Sequence, residues 1–120
     1  MAQILVADDE RMLRRVISRV LKRAGHTIVE AENGQEAIDA VQADPAAFAL
    51  VILDMNMPTV DGIVAAKTIF EIRPDLPVLI ASGDTKDAVL ERFEDRKPNG
   101  VLQKPFVPTD LTDVVGAFLD

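Results

Sequence analysis

The chain has 120 residues, of which 48% are hydrophobic and 28% charged, and its formal net charge at pH 7 is −7. These values fit one globular domain with a substantial apolar core. The acidic balance argues against nucleic-acid binding, which needs a basic face, and the absence of cysteine excludes disulfides and thiolate chemistry.

The apolar stretches have the length of strands, well below the ~20 residues that a membrane-spanning helix needs. The chain enters its first apolar run directly after Met1-Ala2-Gln3, without a basic or apolar leader. We therefore expect a cytoplasmic protein with no membrane association.

Strand-like runs begin near positions 4, 26, 50, 78 and 101, and segments with helical periodicity separate them. The runs at 4, 50 and 78 are continuously apolar, which is typical of parallel strands covered on both faces. The run from His26 to Glu30 is more polar and is predicted to lie at an edge of the sheet.

Three helices have clear signals. The first is predicted to end at Gly25 and to turn its apolar side chains inward. These are Leu13, Val16, Ile17, Val20, Leu21 and Ala24. The second begins at Asn33, with Glu36 as its capping partner, and ends before Pro45. The third begins near Gly62 and stops ahead of Pro74.

Two further helices complete the pattern. The fourth is predicted over about 86–97 and is heavily charged, with a thin apolar stripe of Val89, Leu90 and Phe93. The fifth is predicted to begin with Thr109 as its N-cap. Its inward-facing side chains are Leu111, Val114, Val115 and Phe118.

The repeated βα units predict an α/β fold with three layers, a doubly wound (βα)5 arrangement of the flavodoxin-like type. Its five-stranded parallel sheet has the order 2-1-3-4-5, and one domain covers residues 1–120. Right-handed crossovers place the first and fifth helices on one face of the sheet and the other three on the opposite face.

Polar residues follow four of the five runs. Asp8 and Asp9 end the first run, Asp54 the third, Ser82 the fourth and Lys104 the fifth. In open α/β sheets this carboxyl edge binds ligands. Two carboxylates about 4 Å apart repel by ~4 kcal/mol at an effective dielectric near 20, and Mg²⁺ or Mn²⁺ relieves that repulsion with all-oxygen ligands. A helix cap and a turn are the simpler alternatives for the acids.

A lysine and a serine at the same edge suit a phosphoryl group. Lys104 brings a point positive charge, and the Ser82 hydroxyl can donate to a phosphoryl oxygen. With a carboxylate nucleophile and metal ligands, they are the parts that an aspartyl-phosphate reaction needs. Each residue alone is more simply explained as a surface lysine or a serine in a turn.

Four stretches give the chain a resemblance to the receiver domain of two-component response regulators, over its whole length. They are Ile4–Glu10, Asp54–Pro58 with Asp61-Gly62, Ala81–Gly83 and Lys104–Phe106. Any one of them is a weak signal. All four in this order and at these spacings are highly specific.

The resemblance implies that Asp54 is the phosphoacceptor and that Ser82 and Lys104 bind the phosphoryl oxygens. It implies that Asp9 and Asp54 ligate Mg²⁺ directly, with Mn²⁺ as a possible substitute. The resemblance also makes the backbone carbonyl of Asn56 a ligand and has Asp8 act mainly through water. It predicts a cis peptide between Lys104 and Pro105.

The resemblance also implies partners. The phosphoryl group comes from a histidine kinase or a histidine phosphotransfer protein, and an output partner docks on the face formed by the fourth helix, fifth strand and fifth helix. Catalysis is limited to self-phosphorylation and slow dephosphorylation, so the domain is a switch rather than a turnover enzyme. We expect either a stand-alone regulator or one domain of a longer regulator or hybrid kinase.

One position departs from the family pattern. Receivers usually carry Tyr or Phe three residues before the lysine, where this chain has Val101. The aromatic ring that usually signals phosphorylation is therefore missing. This departure leaves open the alternative of a receiver-like interaction scaffold that is not regulated by phosphorylation, although the complete set of acids, hydroxyl and lysine argues against it.

Other interpretations fit less well. A haloacid-dehalogenase-type phosphatase needs Asp-x-Asp after its first strand, where this chain has adjacent acids, and no nucleotide-binding glycine motif is present. The basic residues of the first helix are interpreted as a solvated face that also docks the phosphoryl donor. They are Arg11, Arg14, Arg15, Arg19, Lys22 and Arg23.

Overall fold

The computed structural model describes residues 2–119, so Met1 and Asp120, the ends of the predicted domain, lie outside the described residues. The strands are β1 (Gln3–Ala7), β2 (Thr27–Ala31), β3 (Leu50–Asp54), β4 (Val78–Ser82) and β5 (Gly100–Gln103). The helices are α1 (Arg11–Arg23), α2 (Gly34–Ala43), α3 (Gly62–Ile72), α4 (Lys86–Leu90) and α5 (Pro108–Leu119). No helix within residues 2–119 is long and apolar enough to cross a membrane.

The five strands form one sheet in the order β2-β1-β3-β4-β5, and every neighbouring pair is parallel. This confirms the predicted fold and the edge position of β2. Because side chains alternate along a strand, Ile4 and Val6 of β1 face one side of the sheet, and Leu5 and Ala7 face the other. The first side packs under α1 and α5, and the second under α2, α3 and α4, as predicted.

The predicted helix boundaries hold where a cap defines them. Gly25 has φ of +100°, the left-handed conformation of a C′ glycine. The Asn33 side chain accepts the Glu36 N–H at 2.8 Å, and the Glu36 carboxylate accepts the N–H of Glu32 at 2.9 Å. The Asp61 side chain caps α3 in the same way. These local hydrogen bonds fix how each helix leaves the sheet.

The prediction of a fourth helix over 86–97 is wrong in its length, because α4 ends at Leu90. Phe93 is buried and its ring lies 6.4 Å from that of Phe70. The Lys97 ammonium donates to the carbonyls of Leu90 and Phe93, and the Arg96 guanidinium lies 3.9 Å from the Phe70 ring centroid. Backbone hydrogen bonds of the helical type continue to Phe93, whose N–H donates to the Leu90 carbonyl, and these side-chain contacts hold the segment that follows.

The start of α5 and three inward-facing predictions also need correction. The helix begins at Pro108, a favourable first helical position, and the Asp110 carboxylate accepts the Val107 N–H. Thr109 is therefore inside the helix rather than its N-cap. Three side chains predicted to face inward do not: Val16 and Phe118 are 49% and 37% exposed, and Ala24 is exposed at the end of α1.

Candidate functional site

The carboxyl ends of β3, β4 and β5 stay aligned beyond the last strand residues. The Met55 N–H donates to the Ala81 carbonyl at 2.9 Å, and the Lys104 N–H donates to the Ser82 carbonyl at 2.7 Å. Asp54, Ser82 and Lys104 consequently leave the sheet side by side. The prediction that these strand ends share one edge is confirmed.

Three carboxylates converge at this edge. One oxygen from each of Asp8, Asp9 and Asp54 lies within 4.8 Å of the others. Asp8 and Asp54 are buried, whereas Asp9 is exposed to solvent. The Oδ2 atom of Asp8 is buried without a hydrogen-bond partner. An all-oxygen cluster with an unsatisfied buried oxygen fits a hard divalent cation such as Mg²⁺.

The Lys104 side chain brings a positive charge into the cluster. Its ammonium donates to Asp54 Oδ1 at 2.8 Å and lies 3.7 Å from Asp8 Oδ2. Burial alone lowers the pKa of Lys104, but the hydrogen bond and negative charge of Asp54 outweigh it, so the pKa is raised. Lys104 therefore stays charged at neutral pH.

Burial raises the pKa of both buried carboxyl groups of the cluster, those of Asp8 and Asp54. Loss of solvent raises the pKa of Asp54 above its usual range, and the hydrogen bond from Lys104 offsets only part of that rise. Burial also raises the pKa of Asp8, against the hydrogen bond from the Glu10 N–H. The crowded acids make the metal-free site electrostatically unfavourable.

The other predicted residues lie nearby. Ser82 is buried, and its Oγ accepts the N–H of Asp84 at 3.0 Å. Asn56 is exposed in the loop that follows Asp54, and its role as a metal ligand stays a prediction. The peptide between Lys104 and Pro105 is cis, which confirms the prediction.

Arg14 was assigned from sequence to the solvated basic face, and that assignment is wrong. The residue is 6% exposed and donates from Nη1 to the Asp8 carbonyl at 2.7 Å. A sequence signal exists, since Arg14 precedes Ile17 by three residues and Leu21 by seven and so shares their buried face. Arg14 is buried, whereas the neighbouring Arg11 and Arg15 are exposed, and the composition of the segment does not distinguish them.

Comparison with known proteins decides the family. A sequence model of the response regulator receiver domain matches residues 4–116. The chain belongs to this family. Receiver domains have a phosphoacceptor role in two-component signalling and interact with histidine kinases or phosphotransfer proteins, so the unphosphorylated scaffold is not the favoured interpretation.

Relatives of this receiver domain differ in size. It is 33% identical over 119 residues to the response regulator receiver protein CpdR of Brucella abortus, covering 99% of this chain and 98% of that protein. It is 34% identical over 120 residues to the response regulator MprA of Mycolicibacterium vanbaalenii, covering 98% of this chain but only 50% of MprA.

A solved structure supports the fold independently. The chemotaxis protein CheY4 of Vibrio cholerae superposes with a TM-score of 0.89 at 29% identity, and the match covers 99% of each chain. The fold and the order of the strands are therefore those of a receiver.

Proposed function

We propose that this receiver domain accepts a phosphoryl group on Asp54 and that the gain or loss of this group switches its binding to a partner. The observation that carries the proposal is the contact of 2.8 Å between the Lys104 ammonium and Asp54 Oδ1 inside a cluster of three carboxylates. A nucleophile, a cation-binding cluster and a positive charge for the phosphoryl group stand together there.

In the proposed transfer, a carboxylate oxygen of Asp54 forms a bond to phosphorus while the bond from phosphorus to the donor's histidine nitrogen breaks. The Lys104 ammonium exchanges its contact with the carboxylate for one with a phosphoryl oxygen. The Ser82 hydroxyl donates a hydrogen bond to a second phosphoryl oxygen.

Mg²⁺ would be held by Asp9, Asp54 and the carbonyl of Asn56, with Asp8 acting through water, and Mn²⁺ could take its place. When bound, the ion neutralises the negative charge that develops on the phosphoryl oxygens. The support is the donor set itself, since carboxylate and carbonyl oxygens are the ligands that Mg²⁺ prefers. The exposed Asp9 leaves the cluster open to solvent and to an incoming donor.

The finer assignments belong to the same proposal. The domain covers residues 1–120, acts in the cytoplasm and receives its phosphoryl group from a histidine kinase or phosphotransfer protein. Its output partner docks on the face formed by α4, β5 and α5. Val101 is half-buried in β5 and packs against the apolar cluster beneath α4. Because it is a valine, it has no aromatic ring that could move on phosphorylation. The signal would instead pass through the backbone around Ser82–Lys86.

The test is the intact mass of the protein after incubation with acetyl phosphate and Mg²⁺. We expect one added phosphoryl group on the wild type and on the control Asp113→Asn, which makes the same chemical change on an exposed face of α5. We expect none on Asp54→Asn or after removal of the metal. A phosphorylated Asp54→Asn protein would refute the assignment.

A wild type without an adduct has a second test. A protein that binds the metal but neither becomes phosphorylated nor binds beryllofluoride would support the scaffold function instead. Beryllofluoride binding without an adduct would indicate rapid hydrolysis at the same site.

A further inference from the structure

We propose that Arg14 is a positioning residue that orients the turn bearing Asp8 and Asp9 and thereby assembles the metal ligands. This inference rests on the proposed function, because it concerns the same acidic cluster. Arg14 touches neither the carboxylates of the cluster nor the phosphoacceptor. It acts through the backbone that carries two of the three acids.

The guanidinium of Arg14 joins two strand ends. Nη1 donates to the Asp8 carbonyl at 2.7 Å, and Nε donates to the Glu30 carboxylate at 2.9 Å. The Glu32 carboxylate lies 3.9 Å from Nη2. One side chain from α1 therefore ties the end of β1 to the end of β2, next to the site.

The hydrogen bond to the Asp8 carbonyl fixes the backbone of Asp9 as well as that of Asp8. The N–H of Asp8 already donates to the Ala31 carbonyl, and its Oδ1 accepts the Glu10 N–H. Because the peptide group is planar, fixing the Asp8 carbonyl also fixes the N–H and Cα direction of Asp9. The carboxylate of Asp9 is exposed, and no group within residues 2–119 donates a hydrogen bond to it. Its direction therefore depends on the backbone that Arg14 anchors.

Arginine is required by this geometry. Two donors on different nitrogens of one planar group reach a carbonyl and a carboxylate at once. A lysine has one ammonium on a flexible stem and reaches only one of these acceptors well. The Glu30 carboxylate fixes the guanidinium from the other side, as outer partners orient metal ligands elsewhere.

The direction of the change in Mg²⁺ affinity distinguishes a lost arrangement of the ligands from a lost charge. Removing a cation near an acidic metal site favours Mg²⁺ binding by Coulomb's law. Losing Arg14 also leaves Glu30 unpaired, and this extra negative charge acts in the same direction. Weaker binding after loss of Arg14 is therefore the signature of a lost ligand arrangement.

The experiment measures Mg²⁺ affinity by calorimetry, without any phosphorylation. We expect Arg14→Met to raise the Kd for Mg²⁺ about 10-fold, the lower end of the effect of outer-shell partners. The matched control is Arg15→Met, which removes the same charge from an exposed neighbour that has no hydrogen bond or ion pair among residues 2–119. We expect Arg15→Met to change the Kd by less than about twofold. Arg14→Lys should lie between wild type and Arg14→Met.

A second readout needs no metal. The amide resonance of Asp9 should shift in metal-free Arg14→Met and stay in place in Arg15→Met. Unchanged Mg²⁺ affinity in Arg14→Met, or an unshifted Asp9 amide, would overturn the proposal. If the wild type itself binds no Mg²⁺, the metal site of the proposed function fails, and the Asp9 amide still decides whether Arg14 orients the turn. If Arg14→Met does not fold, Arg14→Lys carries both readouts.

Discussion

Thr59 occupies an unfavourable backbone conformation in the loop between Asp54 and α3. Its φ is +70°, and the Val60 N–H donates to the Pro58 carbonyl at 2.8 Å across it. This is the pattern of the rare γ-turn with positive φ. A β-branched side chain is strained there, because its Cβ crowds the backbone. The loop holds a threonine where glycine would be relaxed.

We expect Thr59→Gly to raise the free energy of unfolding by about 1 kcal/mol. Relief of ~1–3 kcal/mol of strain exceeds the ~0.5–1 kcal/mol of added chain entropy. Thr59→Val keeps the branched Cβ and should bring no gain. Urea denaturation of the three proteins measures the difference. Equal stabilities of Thr59→Gly and wild type would show that the threonine is not strained.

Single residues differ in how well the sequence reveals them. Asp54, Ser82 and Lys104 were predictable because each ends or directly follows an apolar strand, and parallel strands end at one edge. The burial of Arg14 can be read from its spacing to Ile17, but its role cannot. The strain at Thr59 and the role of Arg14 depend on the φ of a loop residue and on a hydrogen bond to a backbone carbonyl. Neither property leaves a pattern in side-chain chemistry.

The start of α3 is pressed against the end of β3, the strand that carries Asp54. A Cβ on Gly62 would lie 2.2 Å from the carbonyl oxygen of Asp54 and 2.9 Å from Cα of Met55. The Gly62 N–H also donates to the Met55 carbonyl at 2.9 Å. Glycine thus permits a close approach that sets the backbone of Asp54.

We expect Gly62→Ala to lower the free energy of unfolding by about 1–3 kcal/mol, the usual cost of overpacking. It should also slow labelling by acetyl phosphate, because the methyl group displaces the backbone of Asp54. Gly116→Ala is the control, since its Cβ meets nothing within 4 Å and alanine favours a helix interior. Undiminished stability and labelling in Gly62→Ala would show that the two elements separate freely.

Elements with caps were predictable, and those shaped by distant contacts were not. The Asn33 cap and the Gly25 stop lie within a few residues of the helix ends they define. The end of α4 depends on Phe70, which is 23 positions before Phe93 in the chain. Helical periodicity in 86–97 gives no information about that contact.

At the scale of the whole molecule, the site lowers the stability of the metal-free fold. The native pKa values of Asp8 and Asp54 are both raised by burial, so the native state binds more protons than the unfolded chain above the usual value of 3.8. Their contribution to stability is fully present below that value and is lost as the pH rises through the native pKa values. At neutral pH the fold therefore carries two unfavourable ionisations.

We expect metal-free Asp8→Asn to be more stable than wild type at pH 7 by about 1 kcal/mol, the lower end of the cost of an unsatisfied buried polar atom. The difference should shrink as the pH falls toward 4, because the wild-type carboxyl then takes up its proton. Urea denaturation in EDTA across this pH range measures it, with Asp113→Asn as the control for a change of charge. A difference that does not depend on pH would assign the gain to packing instead.

Magnesium should reverse this order, because the same charge that destabilises the empty cluster binds the ion. A ligand at 100 times its Kd stabilises the native state by about 2.7 kcal/mol. The wild type should gain that amount at pH 7, and Asp8→Asn should gain less, since it keeps two of the three carboxylates. An equal gain in both proteins would remove Asp8 from the metal site. Burial of the acids lowers the free energy of unfolding of the metal-free protein. Because the same buried acids bind the ion, metal binding raises the free energy of unfolding of the whole domain.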